Sequence, residues 1–587
     1  MDPRTAAHVL SQIGALLELR GENKFKSRAY SVAAKAVLGL ETDDIVPLFH
    51  SGALKKVAGI GPATLAVLSD LVETGDSRYL EELREDTPGG LAEMLRIPGL
   101  GTAKIHLIHE RLGVETLQQL EEAARDGRLA TLPRFGARTA EKILKGIGFL
   151  RETGAHLLYP HALAESRRLL AGVVRHPGVT DAAVAGSVRR HREVVRDIDV
   201  VAACESPEAV AASMVRAPGV REVVGGGAAS VAIRYVDGTL LDLHCVTPDR
   251  FAVALWRATG SAEHERDLIA RAASMGFTLD GDTLRDADGR AVPVESEAAL
   301  YRALGCDLIP PELREGSGEV EAAASGTLPR LLELADIRGV LHCHSDYSDG
   351  GNTIAQLAEA ARERGWTYIG VSDHSVSAFY AGGLSRDAVL RQHDEIDAVN
   401  ASSGGVRVLK GIEADILADG RVDYDTEILD RFDYVIGSIH SRFAMGESEM
   451  TTRVLRALDD PHLTILGHPT GRLLLNREPY AIDLGAVIEK AAETGVALEL
   501  NADPHRLDLD WRFCRAARDR GVLIEIGPDA HSIRGLDYTA IGVGMARKGW
   551  LEARHVLNTR PVDEVLAIAA RRRPAAGHAA ITPAVRT

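Results

Sequence analysis

The sequence predicts a multidomain chain with an α-helical N-terminal region, a mixed α/β middle region and a C-terminal barrel of parallel strands. Glycine turns separate amphipathic runs up to about residue 160, which is typical of helices joined by short connections. Short β-branched runs then alternate with helical stretches to about residue 310. Further along, about seven apolar strands alternate with helices, and this order favours a barrel of βα units. With 587 residues, the chain is long enough for roughly three to five domains.

Composition and charge narrow the class of protein. Hydrophobic residues make up 45% of the chain, so packed cores are expected. No apolar run is long enough to span a membrane, and residues 1–10 lack the apolar core of a signal peptide. Five cysteines without a Cys-x-x-Cys pair argue against a disulfide framework and favour the cytoplasm. The net charge is −16, yet residues 1–160 carry 20 Lys and Arg against 21 Asp and Glu, so the acidic excess lies after them.

Three similar glycine turns occur near the front, at residues 57–63, 97–103 and 132–138. Glycines at the start of a helix expose backbone amides that bind a DNA phosphate without reading the base sequence. These turns resemble helix-hairpin-helix motifs, and the resemblance implies DNA binding at Gly59, Gly61, Gly99 and Gly101. A single turn of this kind is also typical of an ordinary helix connection.

Three carboxylates in the middle region form a candidate metal site. Asp197 and Asp199 alternate along one strand, so both side chains point to the same face, and Asp242 lies on another apolar strand. Carboxylates that share a face repel one another unless a cation lies between them, and Mg²⁺ prefers such oxygen ligands. Donors for a phosphate precede them in the chain, namely Gly186, Ser187 and Arg190. An isolated Asp-x-Asp is also common at a solvated strand end.

The order of these residues resembles the nucleotidyltransferase palm of the DNA polymerase beta family. Residues 185–199 match the family's palm motif without a gap, and Thr259-Gly260-Ser261 matches the tripeptide before its thumb. The resemblance implies two Mg²⁺ or Mn²⁺ ions held by Asp197, Asp199 and Asp242, with Asp242 helping to deprotonate the primer 3′-OH. It also implies a nucleotide pocket that is formed by Gly186, Ser187, Arg190, Thr259 and Gly260.

Three departures from the family pattern bear on activity. The family has Tyr-Phe before Thr-Gly-Ser, in its sugar pocket, where this chain has Arg257 and Ala258, so discrimination between deoxy- and ribonucleotides does not follow from the resemblance. His244 replaces an arginine that often follows the third carboxylate. The front turns resemble helix-hairpin-helix motifs, but Val67 occupies the position of the family's Schiff-base lysine, so no 5′-deoxyribose phosphate lyase is expected.

Metal-capable side chains follow the apolar strands of the C-terminal third. They are His342, His344, Asp349, His374, Glu413, His440, His468, Asp529 and His531. Active-site residues gather at the C-terminal ends of barrel strands, and mixed imidazole and carboxylate ligands suit Zn²⁺, Mn²⁺ or Fe²⁺. The strings around them, including residues 339–350, resemble the PHP (polymerase and histidinol phosphatase) domain. That resemblance implies a distorted (β/α)7 barrel and a site of three Zn²⁺, Mn²⁺ or Fe²⁺ ions that hydrolyses phosphoesters, with all nine ligand positions intact.

The predicted domains follow one another along the chain. They are an N-terminal helical DNA-binding domain (1–85), a fingers-like helical domain (86–155), a palm (156–250), a thumb (251–314), a linker (315–334), a PHP domain (335–575) and a flexible tail (576–587). The linker is predicted from the small, polar residues 315–326.

Together these parts resemble a bacterial family X DNA polymerase with a C-terminal PHP domain. The resemblance implies short-gap filling in base excision or end repair, with a metal-dependent 3′→5′ exonuclease. AP endonuclease or 3′-phosphodiesterase activity in the same metal site is a further expectation. The expected partners are gapped or primer-template DNA and dNTPs, with no membrane contact, for a cytoplasmic monomer. Two alternatives stay open: a PHP phosphoesterase acting on small phosphate esters, and a DNA-end-binding nuclease with a degenerate polymerase site.

Overall fold

The computed structural model describes residues 1–573 except for some short gaps. These are positions 2, 23, 41, 43, 75–76, 78, 81–82, 84–86, 88–90, 92–93, 95–96, 98–99, 134, 154–155, 218, 236–237 and 403. The predicted tail at 576–587 therefore lies outside the described residues. The chain divides into two units, residues 1–154 and 155–587. In the part that is described, no helix is both long enough and apolar enough to cross a membrane.

The first unit is helical where it is described, as the sequence predicts. Its helices are α1 (Pro3–Leu19), α2 (Lys24–Leu38), α3 (Val46–His50), α4 (Pro62–Thr74), α5 (Thr102–Leu112), α6 (Leu117–Arg125) and α7 (Ala137–Thr153). Apolar residues three or four positions apart, such as Leu10, Ile13 and Leu17 of α1, are buried in its core. Thr116 starts α6 with a capping box that includes Gln119. The periodicity that predicts these helices therefore also builds the core.

The second unit begins with an α/β segment that carries the predicted palm. Its strands are β1 (Leu157–Leu158), β2 (Val179–Val184), β3 (Val194–Val195), β4 (Ile198–Cys204), β5 (Val220–Gly226), β6 (Ser230–Tyr235) and β7 (Leu240–Val246). The short β1 and β3 pair with each other, and the other strands form a sheet in the order β2-β4-β7-β6-β5. In β7, Leu241, Leu243 and Cys245 are buried, so Asp242 and His244 point to the opposite, half-buried face.

Helices pack around this sheet and continue into the predicted thumb. They are α8 (Tyr159–Val174), α9 (Gly186–Arg189), α10 (Pro207–Met214), α11 (Phe251–Thr259), α12 (Ala262–Ser274), α13 (Glu297–Ala303) and α14 (Glu319–Ala324). A small antiparallel sheet is formed by β8 (Thr278–Asp280), β9 (Thr283–Arg285) and β10 (Ala291–Val292). Ser261 begins α12 because its hydroxyl accepts a hydrogen bond from the His264 amide (3.1 Å).

The segment 315–334 is folded, which differs from the linker that its composition predicts. Gly316 and Gly318 adopt φ angles of 70° and 93° and form a turn before α14. The buried carboxylate of Glu319 accepts a hydrogen bond from the Gly316 amide (2.9 Å) and pairs with the buried His264 (2.7 Å). A buried carboxylate requires polar or charged partners. These partners fix the position of a segment that its small, polar residues alone would predict to be a flexible linker.

The C-terminal segment, where described, contains a seven-stranded parallel sheet, and each strand overlaps one of the predicted apolar runs. The strands are β11 (Gly339–Val340), β12 (Tyr368–Val371), β13 (Arg407–Asp415), β14 (Tyr434–Ser438), β15 (Leu463–Leu466), β16 (Ala497–Asn501) and β17 (Ile524–Gly527). They pair in chain order, and a bridge between Cys343 and Ala530 brings the two edges together, so the barrel is nearly closed. Its helices are α15 (Ile354–Glu363), α16 (Arg386–Ser402), α17 (Thr426–Leu429), α18 (Glu447–Leu458), α19 (Leu484–Thr494), α20 (Trp511–Asp519), α21 (Thr539–Lys548) and α22 (Val562–Ala570).

Buried charges join the palm sheet to the barrel within the second unit. Lys548 of α21 is buried, and its ammonium donates to the Arg190 carbonyl (2.9 Å) and pairs with Glu315. Burial lowers the Lys548 pKa to about 8, although Glu315 favours the charged form. Glu193 accepts a hydrogen bond from Arg512 of α20 (2.9 Å). These pairs hold the segment between α9 and β3, which precedes the palm carboxylates, against two barrel helices.

Candidate active sites

The three predicted palm carboxylates lie along two adjacent parallel strands. Asp199 of β4 and Asp242 of β7 are register partners, so their side chains emerge side by side. Asp197 stands just before β4 and pairs with the exposed Arg196 (3.0 Å). Burial, followed by repulsion from Asp197 and Asp242, raises the pKa of Asp199 to about 7. A cation among the carboxylates would keep the cluster ionised at neutral pH, so these residues fit a metal site.

Gly186 fits against this cluster because it has no side chain. Its φ angle is 58°, and a Cβ added here would lie 1.7 Å from Oδ2 of Asp199. The next residue, Ser187, has a buried hydroxyl that makes no hydrogen bond to any residue the structure describes. Because buried polar groups are normally satisfied, this hydroxyl is suited to a ligand oxygen.

Arg190 and Thr259, predicted to hold the nucleotide, are engaged with other protein groups. Arg190 pairs with Glu315 (3.0 Å) and donates to the Thr259 carbonyl (2.7 Å). The Thr259 hydroxyl is buried and accepts a hydrogen bond from Arg189 (2.7 Å). Gly260 follows at the end of α11. The carboxylate of Glu315 therefore competes with phosphate for Arg190, a contact that the motif alone does not predict.

A cleft of 240 Å³ opens beside the palm carboxylates. Asp199, Asp242 and Ala258 are among the residues that line it. Arg257 instead pairs with Glu265 (3.1 Å). The small Ala258 therefore leaves space at a position where the DNA polymerase beta family has an aromatic ring.

The nine predicted barrel ligands converge at the C-terminal ends of the strands. Glu413 of β13 is central, because its carboxylate lies 2.9 Å from Nδ1 of His374 and 3.3 Å from Nε2 of His440. Nε2 of His468 lies 3.0 Å from the same carboxylate, and Nε2 of His342 lies 3.5 Å from it. Residues separated by more than 100 positions in the sequence are thus gathered around one buried acid.

Three groups of these side chains have ligand atoms within 4.8 Å of one another. The groups are His344, Asp349, His374 and His531; His342, His344 and Asp529; and His374, Glu413 and His440. Throughout the part of the chain that is described, groups of this kind occur only in the barrel. His344 and His374 each belong to two groups, so the three groups are contiguous and form one cluster.

Sequence reasoning missed the carboxylates that orient the histidines. Glu499, buried in β16, binds Nδ1 of His342 and accepts a hydrogen bond from the His468 amide. Asp415, at the end of β13, binds Nδ1 of His440 (2.8 Å). A carboxylate on the second imidazole nitrogen fixes the orientation of a histidine ligand. The available signal was an acidic residue near the C-terminal end of a strand, which occurs at both positions.

The electrostatics of the barrel cluster fit a metal site. Burial disfavours the charged form of His374, but Glu413 and Asp349 outweigh it and raise the His374 pKa to about 10. Burial lowers the pKa of His344 to about 4, so its imidazole is neutral at pH 7. Its ring nitrogens are buried and make no hydrogen bond within the described residues, although the Asp529 carboxylate lies 3.2 Å away. Neutral imidazole nitrogens beside carboxylates are the donor set that Zn²⁺, Mn²⁺ and Fe²⁺ use.

Two of the predicted barrel ligands have left-handed backbone conformations. The φ angles of His468 and Asp529 are 30° and 49°. Residues other than glycine rarely adopt this region, and such conformations cluster at functional sites. The local backbone at both strand ends is therefore shaped around the cluster.

The front glycines are placed in tight turns where they are described. Gly59 has a φ angle of 94°, which favours glycine, and Gly101 immediately precedes α5. The Gly61 amide donates to the Thr64 hydroxyl (2.9 Å), so this amide already has a protein partner. Gly99 lies outside the described residues.

Comparisons with known proteins agree with this order of parts. The matching families are a helix-hairpin-helix domain (residues 1–77), a SAM-like helix-hairpin-helix tandem (91–148), the DNA polymerase beta thumb (254–315) and the PHP domain (341–503). The DNA polymerase/3'-5' exonuclease PolX of Bacillus subtilis is 36% identical over 576 residues, which cover 97% of this chain and 100% of that protein. The chain belongs to the PolX family. It is therefore a DNA polymerase with 3'-5' exonuclease, for which DNA and dNTPs are the substrates.

Shorter matches connect part of this PolX chain to phosphatases. A probable phosphatase of Caldanaerobacter subterraneus subsp. tengcongensis is 30% identical over 33% of this chain and 77% of its own length. A probable phosphatase of Syntrophotalea carbinolica is 32% identical over 27% of this chain and 64% of its own length. The match to the Bacillus subtilis protein covers nearly the whole chain and therefore decides the family. The predicted helix-hairpin-helix region, polymerase thumb and PHP barrel are confirmed.

Proposed function

We propose that this protein fills short gaps in DNA during base excision or end repair, and that its barrel trims the 3′ ends. The observation that carries the proposal is one chain that holds two separate clusters of metal-capable side chains. Asp199 and Asp242 lie side by side next to an open cleft, and the barrel gathers a full set of metal ligands. Gap filling uses the first site, and removal of unsuitable 3′ ends uses the second.

In the palm, we assign two Mg²⁺ or Mn²⁺ ions to Asp197, Asp199 and Asp242. These ions supply the positive charge that stabilises the transferring phosphate. Burial and the nearby Asp197 raise the pKa of Asp242, which suits a carboxylate oxygen that accepts the proton of the primer 3′-OH. The free Ser187 hydroxyl donates to a triphosphate oxygen, and the Gly186 backbone allows the phosphate to come close.

Arg190, Thr259 and Gly260 complete the proposed nucleotide pocket. For Arg190 to reach a phosphate, it must leave Glu315, whose carboxylate then keeps Lys548 and Arg192 (3.4 Å) as partners. When Arg190 leaves, Glu315 still has positively charged neighbours, so the movement of Arg190 costs little free energy.

In the barrel, we propose three Zn²⁺, Mn²⁺ or Fe²⁺ ions on the nine convergent ligands. Such ions provide Lewis-acid activation of a phosphodiester and of water. Glu499 and Asp415 orient the histidines, and the buried walls hold the ligand geometry. Because an abasic site and a blocked 3′ end also present phosphodiesters, we propose AP endonuclease and 3′-phosphodiesterase activity for the same cluster.

The remaining assignments are also proposals. We place domain boundaries after residues 85, 155, 250, 334 and 575, and the folded segment 315–334 belongs with the thumb, whose core contains Val320 and Ala323. We assign phosphate binding to the turns of Gly59, Gly61, Gly99 and Gly101, since their glycines precede helices. We expect a monomer that acts on gapped or primer-template DNA in the cytoplasm, and the five cysteines are free thiols, in keeping with a reducing compartment.

Two observations favour a second candidate, a DNA-end nuclease with a degenerate polymerase site. Arg190 is held by Glu315, and Ala258 stands in place of an aromatic residue at the cleft. Both features weaken nucleotide binding relative to the family pattern, whereas the barrel ligand set is intact.

A 5′-labelled primer on a gapped template, incubated with Mn²⁺, tests the proposal. Primer extension with dNTPs and shortening without them are the expected results. Shortening without extension would favour the second candidate. Neither reaction, together with hydrolysis of free histidinol phosphate, would point to small phosphate esters as the substrates.

A further inference from the structure

An exposed aromatic pair stands at the rim of the barrel cluster. Phe379 and Tyr380 are 86% and 62% exposed, and their rings lie 6.1 Å apart in a T-shaped arrangement. The Tyr380 ring lies 6.3 Å from the His374 ring and 6.4 Å from the His440 ring, both of which belong to the proposed metal site. Large exposed aromatic surface beside an active site marks a place where a ligand binds.

The loop that carries this pair is firmly anchored. Ala378 and Ala381, which flank the two aromatic residues, are buried. The Leu384 amide donates to the His374 carbonyl (2.9 Å), and the Ala378 amide donates to the Ser375 carbonyl (2.9 Å). Both ends of the loop are therefore hydrogen-bonded to the backbone near His374, so Phe379 and Tyr380 are held in a fixed position at the surface.

A DNA 3′ end that enters the barrel cluster must place a phosphodiester among the ligands. The base next to that phosphodiester then lies outside the cluster, at the level of the rim. Every nucleobase can stack on an aromatic ring, so aromatic platforms hold single strands without sequence preference. Arg506, whose guanidinium lies 3.4 Å from Asp529, adds positive charge at the same rim for the phosphate backbone.

We propose that Phe379 and Tyr380 form a stacking platform for the unpaired base next to the scissile phosphodiester. The platform selects single-stranded or frayed 3′ ends, because a base that is still paired and stacked in a duplex is held there by its partner and cannot turn onto the rings. This inference rests on the proposed exonuclease function of the same cluster. Both residues bind and position the strand, and neither contacts the reacting atoms.

The test compares two 5′-labelled single strands with the full-length protein and Mn²⁺. One strand has natural bases throughout, and the last two nucleotides of the other are abasic. Phe379→Ala is expected to raise KM for the natural strand on the order of 10-fold, the effect of one base–aromatic stack, and to leave kcat and the abasic strand within about twofold. Phe379→Trp should retain the wild-type KM because a ring remains. The matched control is Leu390→Ala, which shortens a 38% exposed apolar side chain of α16 and should change neither strand.

Two results would overturn the platform. One is an unchanged KM for the natural strand in Phe379→Ala, and the other is an equal rise for both strands. If the wild type cuts neither strand, the exonuclease proposal fails, and equilibrium binding of the same strands decides the platform separately. If Phe379→Ala then binds the natural strand more weakly and the abasic strand as before, the platform is supported. Unchanged binding of the natural strand would reject the platform.

Discussion

Gly186→Ala is expected to abolish DNA synthesis while sparing the exonuclease. The added Cβ would lie 1.7 Å from Oδ2 and 2.4 Å from Cγ of Asp199, far inside any allowed contact. The Asp199 carboxylate must therefore leave its present position beside Asp242, its register partner. A displacement of about 1 Å at a reacting group costs on the order of 100-fold in rate. The φ angle of 58° adds about 1–2 kcal/mol of backbone strain for alanine.

The assay follows a 5′-labelled primer on a gapped template, with dNTPs for extension and without them for shortening. Gly281→Ala is a matched control, since Gly281 has a φ angle of 52° and no atom within 4 Å of an added Cβ. The control carries the same backbone strain without the collision and should extend like the wild type. Extension by Gly186→Ala at the control rate would refute the reasoning, because Asp199 would then function despite the added methyl group.

Three further predictions concern the interface, the metals and the cleft. Burial alone would raise the Glu193 pKa, but Arg512 and Arg192 hold it at about 2 against an ordinary 4.5. The ionised Glu193 therefore stabilises the fold above pH 4.5, and this stabilisation is lost as the pH falls towards 2. Glu193→Gln should lower the free energy of unfolding by about 3 kcal/mol at pH 7 and by much less at pH 2.5. Urea denaturation at both pH values measures the difference. Chelated protein should gain about 3 kcal/mol of stability when Mn²⁺ reaches 100 times its dissociation constant, seen as a rise in Tm that His344→Ala loses. Ala258→Phe should fill space in the cleft and improve selection of dNTPs over rNTPs by roughly 10-fold in kcat/KM; an unchanged ratio would place the sugar elsewhere.

Local patterns predict the chemistry of this chain well. The barrel ligands follow apolar strands, so strand recognition also places the ligands, as His440 after β14 shows. Asp199 and Asp242 are predictable for the same reason, because alternation along a strand sets which face a carboxylate occupies. Strand β5 (Val220–Gly226) is hard to predict because its last two residues are glycines, which weaken the β-strand signal.

Contacts between residues that are far apart in the chain could not be predicted from the sequence. Glu315 and Lys548 are 233 positions apart, and their pairing follows from the packing of the barrel against the palm. The same contact ties up Arg190, which the motif assigns to the nucleotide. Glu319 was assigned to a linker because small, polar neighbours surround it, whereas its buried partner His264 lies 55 positions away. Composition reflects only the residues that are adjacent in sequence. The roles of Glu315 and Glu319 depend instead on residues that are adjacent in the folded structure.

The most direct test of two independent active sites uses Asp199→Ala and His344→Ala on the same gapped, 5′-labelled DNA with Mn²⁺. Asp199→Ala should lose extension with dNTPs and keep shortening without them. His344→Ala should show the reverse, because the palm and barrel ligand sets share no residue. Loss of both reactions in either variant, with an unchanged Tm, would contradict two separate sites and indicate one centre that serves both reactions.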